Sequence, residues 1–214
     1  MNVLLLGSGG REHAIAIAFA KSPWLETLFV APGNPGIASI ARMVALDIKD
    51  HPAVAVFCKA NDIDLVVVGP EAPLVGGIVD GLAAEGIKTF GPSKAAARLE
   101  GSKAFAKEFC THFKIPTAPY ARFAGAAPAK TYVRGKGPPI VIKADGLAAG
   151  KGVTVAASIE EAEAAIDRTF SGEFGEAGQT ILVEDFLDRE EVSFFALCEA
   201  PNAFTKLHGA SLTN

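Results

Sequence analysis

Cysteine is scarce in this sequence: Cys58, Cys110 and Cys198 lie far apart, and no C-x-x-C pair occurs. That pattern argues against a disulfide framework or a structural zinc site and fits a reducing compartment. His13, His51, His112 and His208 are equally scattered, so no metal-ligand cluster is visible along the chain. A basic excess is missing too. The net charge of −4 argues against a general nucleic-acid binder and a basic membrane-surface protein, and leaves room for a local pocket for a small anion. The apolar run in MNVLLLGSGG is too short for a signal h-region, and no basic segment precedes it. Nor does any run approach the ~18 apolar residues of a membrane span. Internal repeats and low-complexity tracts are absent. The expectation is a cytoplasmic protein with no nucleic-acid and no membrane partner.

What is present is an ordinary globular composition. The 214 residues are 50% hydrophobic and 21% charged, enough for one large domain or two small ones. Strands and helices alternate in the first half. VLLL (3–6), TLFVA (27–31), MVALDI (43–48), DLVVVG (64–69) and KTFG (88–91) read as strands. REHAIAIAFAK (11–21), AVAVFCKA (53–60) and GGIVDGLAAEG (76–86) read as the helices between them. Apolar strands alternating with helices imply a parallel sheet covered on both faces. The pattern changes after about residue 100. SKAFAKEFCTHF (102–113) reads as a lone amphipathic helix, followed by a proline-rich connector. PIVIK (139–143), VTVAA (153–157), TILVEDF (180–186) and VSFFALC (192–198) read as strands, with the helix SIEEAEAAIDRTF (158–170) among them. Ser158 and Glu161 have capping-box spacing, and GEFGEAG (172–178) reads as a mobile loop.

The chemistry sits in loops. KADGLAAGKGV (143–153) sets three glycines between and beside two lysines. Glycine backbone forms nests that bind anions, and the lysines add charge, so this is a phosphate-binding loop. It is not a Walker A loop, because Gly146 and Gly150 are separated by three residues and Gly152 follows Lys151. Its place between two strands suits a flexible lid over a nucleotide. GSGGREH (7–13) ends a strand and opens a helix, another anion-binding arrangement. Glu12 stands where a dinucleotide fingerprint has its third glycine, and no acidic residue ends the second strand, which disfavours NAD. Arg11 can clamp a phosphate. Glu71, in GPEAPL (69–74) after the strongest strand, can hold a ribose hydroxyl or an amine. ILVEDFL (181–187) ends in Glu184 and Asp185, where backbone past a strand can pair with the edge of adenine.

Taken in order, GSGGREH, APGNPG (31–36), VGPEAPL (68–74), FGPS (90–93), LEGSKAFAK (99–107), IPTAPY (115–120), IVIKADGLAAGKGV (140–153) and VEDFL (183–187) resemble glycinamide ribonucleotide synthetase, of the ATP-grasp superfamily. The resemblance covers residues 1 to about 198. It implies an α/β chain. Residues 1–100 would form a Rossmann-like substrate domain and 101–118 a connecting helix and linker. An α+β ATP-grasp lid would follow at 119–190, and the start of a second ATP-grasp unit at 191–214. The implied reaction joins glycine to 5-phosphoribosylamine, with ATP phosphorylating the glycine carboxylate to an acyl phosphate. The implied ATP residues are Lys103, Lys143, Asp145, Gly146, Gly150, Lys151, Gly152, Glu184, Asp185, Phe186, Leu187 and Glu191, with Glu190 as a substitute for Glu191. Gly9, Gly10, Arg11, Pro70 and Glu71 are implied for phosphoribosylamine.

The resemblance also implies magnesium, with its ligands and the catalytic groups in a further half that this chain does not match. After Cys198 the sequence EAPNAFTKLHGASLTN departs from the family pattern. The expectation is a truncated chain with little or no ligase activity alone and no metal ligands of its own. The family implies a monomer, and self-association of this chain stays open. Two other readings also stay open: a non-catalytic nucleotide- or phosphoribosyl-binding fragment, and another ATP-grasp carboxylate–amine ligase.

Overall fold

The computed structural model describes residues 1–147, 152–190, 192, 194–199 and 202–206. A parallel five-stranded sheet is built from β1 (Asn2–Gly7), β2 (Thr27–Pro32), β3 (Arg42–Met43), β4 (Ile63–Val68) and β5 (Thr89–Phe90), in the order β3-β2-β1-β4-β5. Its central strand explains why VLLL is apolar throughout. Leu4 and Leu6 pack on one face with Val54 and Cys58 of helix α2 (His51–Ala60) and Ile78 and Leu82 of a later helix. Val3 and Leu5 face the other way, against Ala16 of helix α1 (Gly10–Ala20) and Val30. All four side chains are fully buried. A strand covered on both faces has no polar side to alternate with.

The expected strand 43–48 is mostly not a strand. Pairing stops after Met43, apart from one bond from the Val44 N–H to the Val30 carbonyl. Val44, Leu46 and Ile48 still pack partly buried against the core, so their alternation reports burial without sheet pairing. The expected helix 76–86 is present over Ile78–Ala84, and a further helix precedes it. Helix α3 (Glu71–Gly76) ends at Gly77, whose φ of +93° turns the chain, and α4 (Ile78–Ala84) follows. The lone helix expected at 102–113 is one of two. Helix α5 (Lys94–Gly101) precedes α6 (Lys103–His112), and Ser102 caps the second by accepting from the Phe105 N–H at 3.1 Å.

The second sheet has the order β6-β9-β7-β8, from β6 (Tyr120–Phe123), β7 (Ile140–Ala144), β8 (Val153–Ala156) and β9 (Ile181–Asp185), all antiparallel. The β7–β8 hairpin encloses the glycine loop. Helices α7 (Ala126–Lys136) and α8 (Ile159–Arg168) cover one face, burying Ile140, Ile142, Ile181 and Val183 against Val133, Ala162 and Ile166. Strand alternation therefore turns Val141, Lys143, Leu182 and Glu184 to the opposite face. The expected box at α8 is shifted. The Glu161 N–H donates to Ser158 Oγ at 3.2 Å, but the Glu161 carboxylate accepts from Ala157 rather than from Ser158. The segment read as a mobile loop at 172–178 instead forms short helical turns over Thr169–Glu173 and Gly175–Gln179. Beyond β9, β10 (Phe195–Glu199) pairs with β11 (Asn202–Lys206) as an antiparallel hairpin. Among the described residues no helix is long and apolar enough to cross a membrane.

Because Leu4 sits in the middle of the parallel sheet with no exposed surface, Leu4→Ala is expected to cost about 2–5 kcal/mol. Equilibrium denaturant unfolding measures it, and a loss below about 1 kcal/mol would contradict this packing.

Candidate nucleotide and substrate site

Helix α6 crosses the open face of the antiparallel sheet, and a cleft of about 810 Å³ lies between them. Lys103 and Lys107, one helical turn apart, share the face of α6 that lines it. From the sheet, the antiparallel register sets Val141 opposite Glu184 and Lys143 opposite Leu182, which makes Lys143 and Glu184 diagonal neighbours on one face. Lys143 Nζ donates to Glu184 Oε2 at 2.9 Å, and Lys107 Nζ pairs with the same oxygen at 3.0 Å. The Glu184 side chain is 5% exposed. Its Oε1 is buried and has no protein partner among the described residues. A buried acceptor without a donor is costly, and here it belongs to a residue that lines the cleft. Lys103 Nζ donates to the Gly146 carbonyl at 2.7 Å. Burial holds the Lys103 pKa below its ordinary value, Asp145 and Glu100 oppose that shift, and Lys143 adds to it.

Of the ATP residues expected from sequence, Lys103, Lys143, Gly146, Gly152 and Glu184 line this cleft, as do Pro70 and Glu71 at the start of α3. Asp145 does not. Its carboxylate accepts from Ser102 Oγ and from the Ala104 N–H at 3.1 Å, so it anchors the root of the glycine loop to the start of α6. The Asp185 side chain lies on the other sheet face and pairs with Lys136 Nζ at 3.0 Å. Phe186 and Leu187 are exposed and sit past the cleft wall. Gly150, Lys151 and Glu191 lie outside the described residues. Sequence reasoning missed Lys107, Cys110 and Thr117, which also line the cleft. For Lys107 a signal was there, in the four-residue spacing of the lysines in SKAFAK.

At the carboxyl ends of the parallel strands the crevice between β1 and β4 is the expected ligand position, because the strand order reverses there. Glu12 fills it. Its side chain is buried, and a Cβ at Gly7, Gly9 or Gly69 would overlap it. Gly7 also needs glycine for its φ of +127°. The Gly9 N–H donates to Glu12 Oε2 at 2.6 Å, and Arg11 Nε reaches Glu12 Oε1 at 3.3 Å. Arg11 Nη2 then donates to Glu71 Oε1 at 2.8 Å, which joins the two loops. Gly9, Gly10 and Arg11 thus form a rim beside Pro70 and Glu71 and lie outside the main cleft wall.

A lid-like antiparallel sheet facing a lysine-bearing helix, set after a parallel α/β unit, is the arrangement of the ATP-grasp class. The fold is shared with carboxyaminoimidazole ribonucleotide synthase from Aspergillus clavatus, crystallised with ATP, which superposes with a TM-score of 0.69 at 20% identity, over 95% of this chain and 52% of its own. The sequence narrows the class. The family model for the N domain of phosphoribosylglycinamide synthetase matches residues 1–100, and that for its ATP-grasp (A) domain matches residues 101–210. The chain belongs to the phosphoribosylglycinamide synthetase family. A phosphoribosylamine–glycine ligase from Mesorhizobium japonicum is 63% identical over 95% of this chain and 48% of its own length. The crystal structure of the Thermotoga maritima phosphoribosylamine–glycine ligase superposes with a TM-score of 0.78 at 31% identity, over 95% of this chain and 48% of that one. The chain spans about half the length of the curated relatives it matches.

Two outcomes follow from this geometry. Gly69→Ala puts a methyl group into the Glu12 side chain, an overpacking cost of about 1–3 kcal/mol that thermal melting reads directly. Unchanged melting would contradict the placement of Glu12. The hydrogen bond from Arg11 is the main cause holding the Glu71 pKa below its ordinary value. The pair therefore contributes stability above the unfolded-state pKa of about 4.3, and that stability is lost as pH falls through the folded value. Glu71→Gln should remove this share of the acid sensitivity, measured as the pH dependence of melting below about pH 4.3.

Proposed function

We propose that the cleft binds ATP and that the chain serves the ligation of glycine to 5-phosphoribosylamine, giving glycinamide ribonucleotide, ADP and phosphate. The observation that carries the proposal is the Glu184 carboxylate, held by two lysines with one oxygen left for a donor on a ligand. In this reading Glu184 Oε1 accepts from the exocyclic amine of adenine, and backbone groups of Asp185, Phe186 and Leu187 follow the base edge. Lys143 and Lys103 face the phosphates, with Gly146, Gly152 and the intervening glycine loop above them. Gly150 and Lys151 belong to the same loop, and Glu191 takes the ribose. The rim of Gly9, Gly10, Arg11, Pro70 and Glu71 takes phosphoribosylamine, its phosphate toward Arg11. Residues 1–100 then act as the substrate unit, 101–118 as the connection, 119–190 as the lid and 191–214 as the start of a further unit. The setting is the cytoplasm.

The chemistry explains why ATP is needed. A carboxylate is a poor acylating agent. Transfer of the γ-phosphoryl group to a glycine oxygen gives a mixed anhydride, whose carbonyl the amine attacks as phosphate leaves. The intermediate must be kept from water, a task suited to a loop that closes over the cleft. Lys143 and Lys103 supply positive charge where phosphate charge collects. Magnesium is implied by the family; among the described residues no group of three or more His, Cys, Asp or Glu side chains is arranged to hold a metal. No step is assigned to a metal on this chain. The second reading is a nucleotide-binding unit without turnover of its own.

Calorimetric titration of ATP into the 214-residue chain tests the binding. Lys143→Met is expected to weaken ATP about tenfold or more. ATP should also protect Cys110, which lines the cleft, from alkylation, while Cys58, whose thiol burial pushes up to about 11, stays unreactive. ATP binding insensitive to Lys143→Met, with Cys110 unprotected, would place the nucleotide elsewhere. ADP formation that requires both glycine and freshly generated phosphoribosylamine supports the ligase; binding without turnover supports the second reading.

A further inference from the structure

We propose that Lys107 is a positioning residue that makes the cleft select a purine with a 6-amino group over its 6-oxo counterpart, an inference that rests on reading the cleft as the ATP site. A carboxylate oxygen can only accept a hydrogen bond. Glu184 Oε1, buried and without a partner, therefore asks for a donor on the ligand. A 6-amino group supplies one, while a 6-oxo group sets two acceptors against each other. Selection holds only while Oε1, not Oε2, is turned to the base.

Two lysines fix that choice by pairing with Oε2, and they are not equivalent. Lys143 is 28% exposed, and in the ATP reading a triphosphate competes for its ammonium. Lys107 is 12% exposed. Its ammonium also donates to Thr117 Oγ1 at 2.7 Å and to the Ala118 carbonyl at 3.1 Å, both on the connector into β6. Its donors are committed to protein, so it does not reach the ligand. When phosphates draw Lys143 away, Lys107 is the counter-charge that stays on Oε2. One lysine is shared with the nucleotide and the other is reserved for the carboxylate that reads the base. Lys103 Nζ, on the same helix face, is bonded to the Gly146 carbonyl and does not substitute for Lys107.

The test titrates ATP, inosine triphosphate and inorganic tripolyphosphate into the native chain, Lys107→Met and Thr117→Val. The native chain should prefer ATP to inosine triphosphate. In Lys107→Met, ATP affinity should fall about tenfold or more, the preference over inosine triphosphate should shrink toward none, and tripolyphosphate affinity should fall far less. Thr117→Val keeps the lysine and loosens one tether, so the preference should fall in the same direction by less. If Lys107→Met does not fold, Thr117→Val decides, and an unchanged preference overturns the proposal. A Lys107→Met chain that keeps the native preference, or loses ATP and tripolyphosphate alike, also overturns it. A native chain that binds tripolyphosphate but shows no preference between the bases would overturn it as well. A native chain that binds no nucleotide would overturn the reading of the cleft, and this inference with it.

Discussion

One buried carboxylate organises the working face of this protein. Glu184 is taken out of water at the end of a strand, at a cost that only paired charge can offset. The pairing comes from two directions: Lys143 from the neighbouring strand and Lys107 from the helix across the cleft. Helix and sheet are thus held apart at a set distance, with a gap between them of nucleotide size. Both lysines meet at one oxygen, and the other is buried without a partner among the described residues. The interaction that closes the architecture also leaves an acceptor unsatisfied.

Other contacts keep this frame in place. Asp145 ties the root of the glycine loop to the first turn of α6 through Ser102 and Ala104. Its part is that of an anchor. On the parallel sheet a second buried carboxylate works differently. Glu12 occupies the crevice where a dinucleotide fold would seat a pyrophosphate, and three glycines make room for it. Beside it lies the rim, where Arg11 and Glu71 are joined. One sheet therefore offers a cleft with an acceptor at its floor. The other offers a charged ledge.

Much of this was legible in the sequence, for reasons that differ from element to element. The runs VLLL and DLVVVG became central strands because a doubly covered strand has nothing but apolar residues to show. The hairpin around the glycine loop was legible because apolar strands flank it directly. Strand β6 and helix α7 were not: YARF carries an arginine, and AAPAKTYVRGK carries a proline and a glycine. In both cases tertiary packing overrides weak local preference. MVALDI misled because alternation reports burial, and burial does not require an edge partner. Glu12 was legible only as a departure from a glycine fingerprint. That it fills the crevice depends on Gly69, far along the chain, coming beside Gly7 and Gly9. The roles of Asp145 and Asp185 hinge on which way one side chain turns, and for Asp185 strand parity decides it.

The measurement that tests the account most directly is a crystal structure of this chain with a non-hydrolysable ATP analogue. The account predicts the base between α6 and the antiparallel sheet, its exocyclic amine within hydrogen-bond distance of Glu184 Oε1, and Lys107 still on Oε2. A nucleotide seated on the Arg11–Glu71 rim, or a base turned away from Glu184, would contradict it.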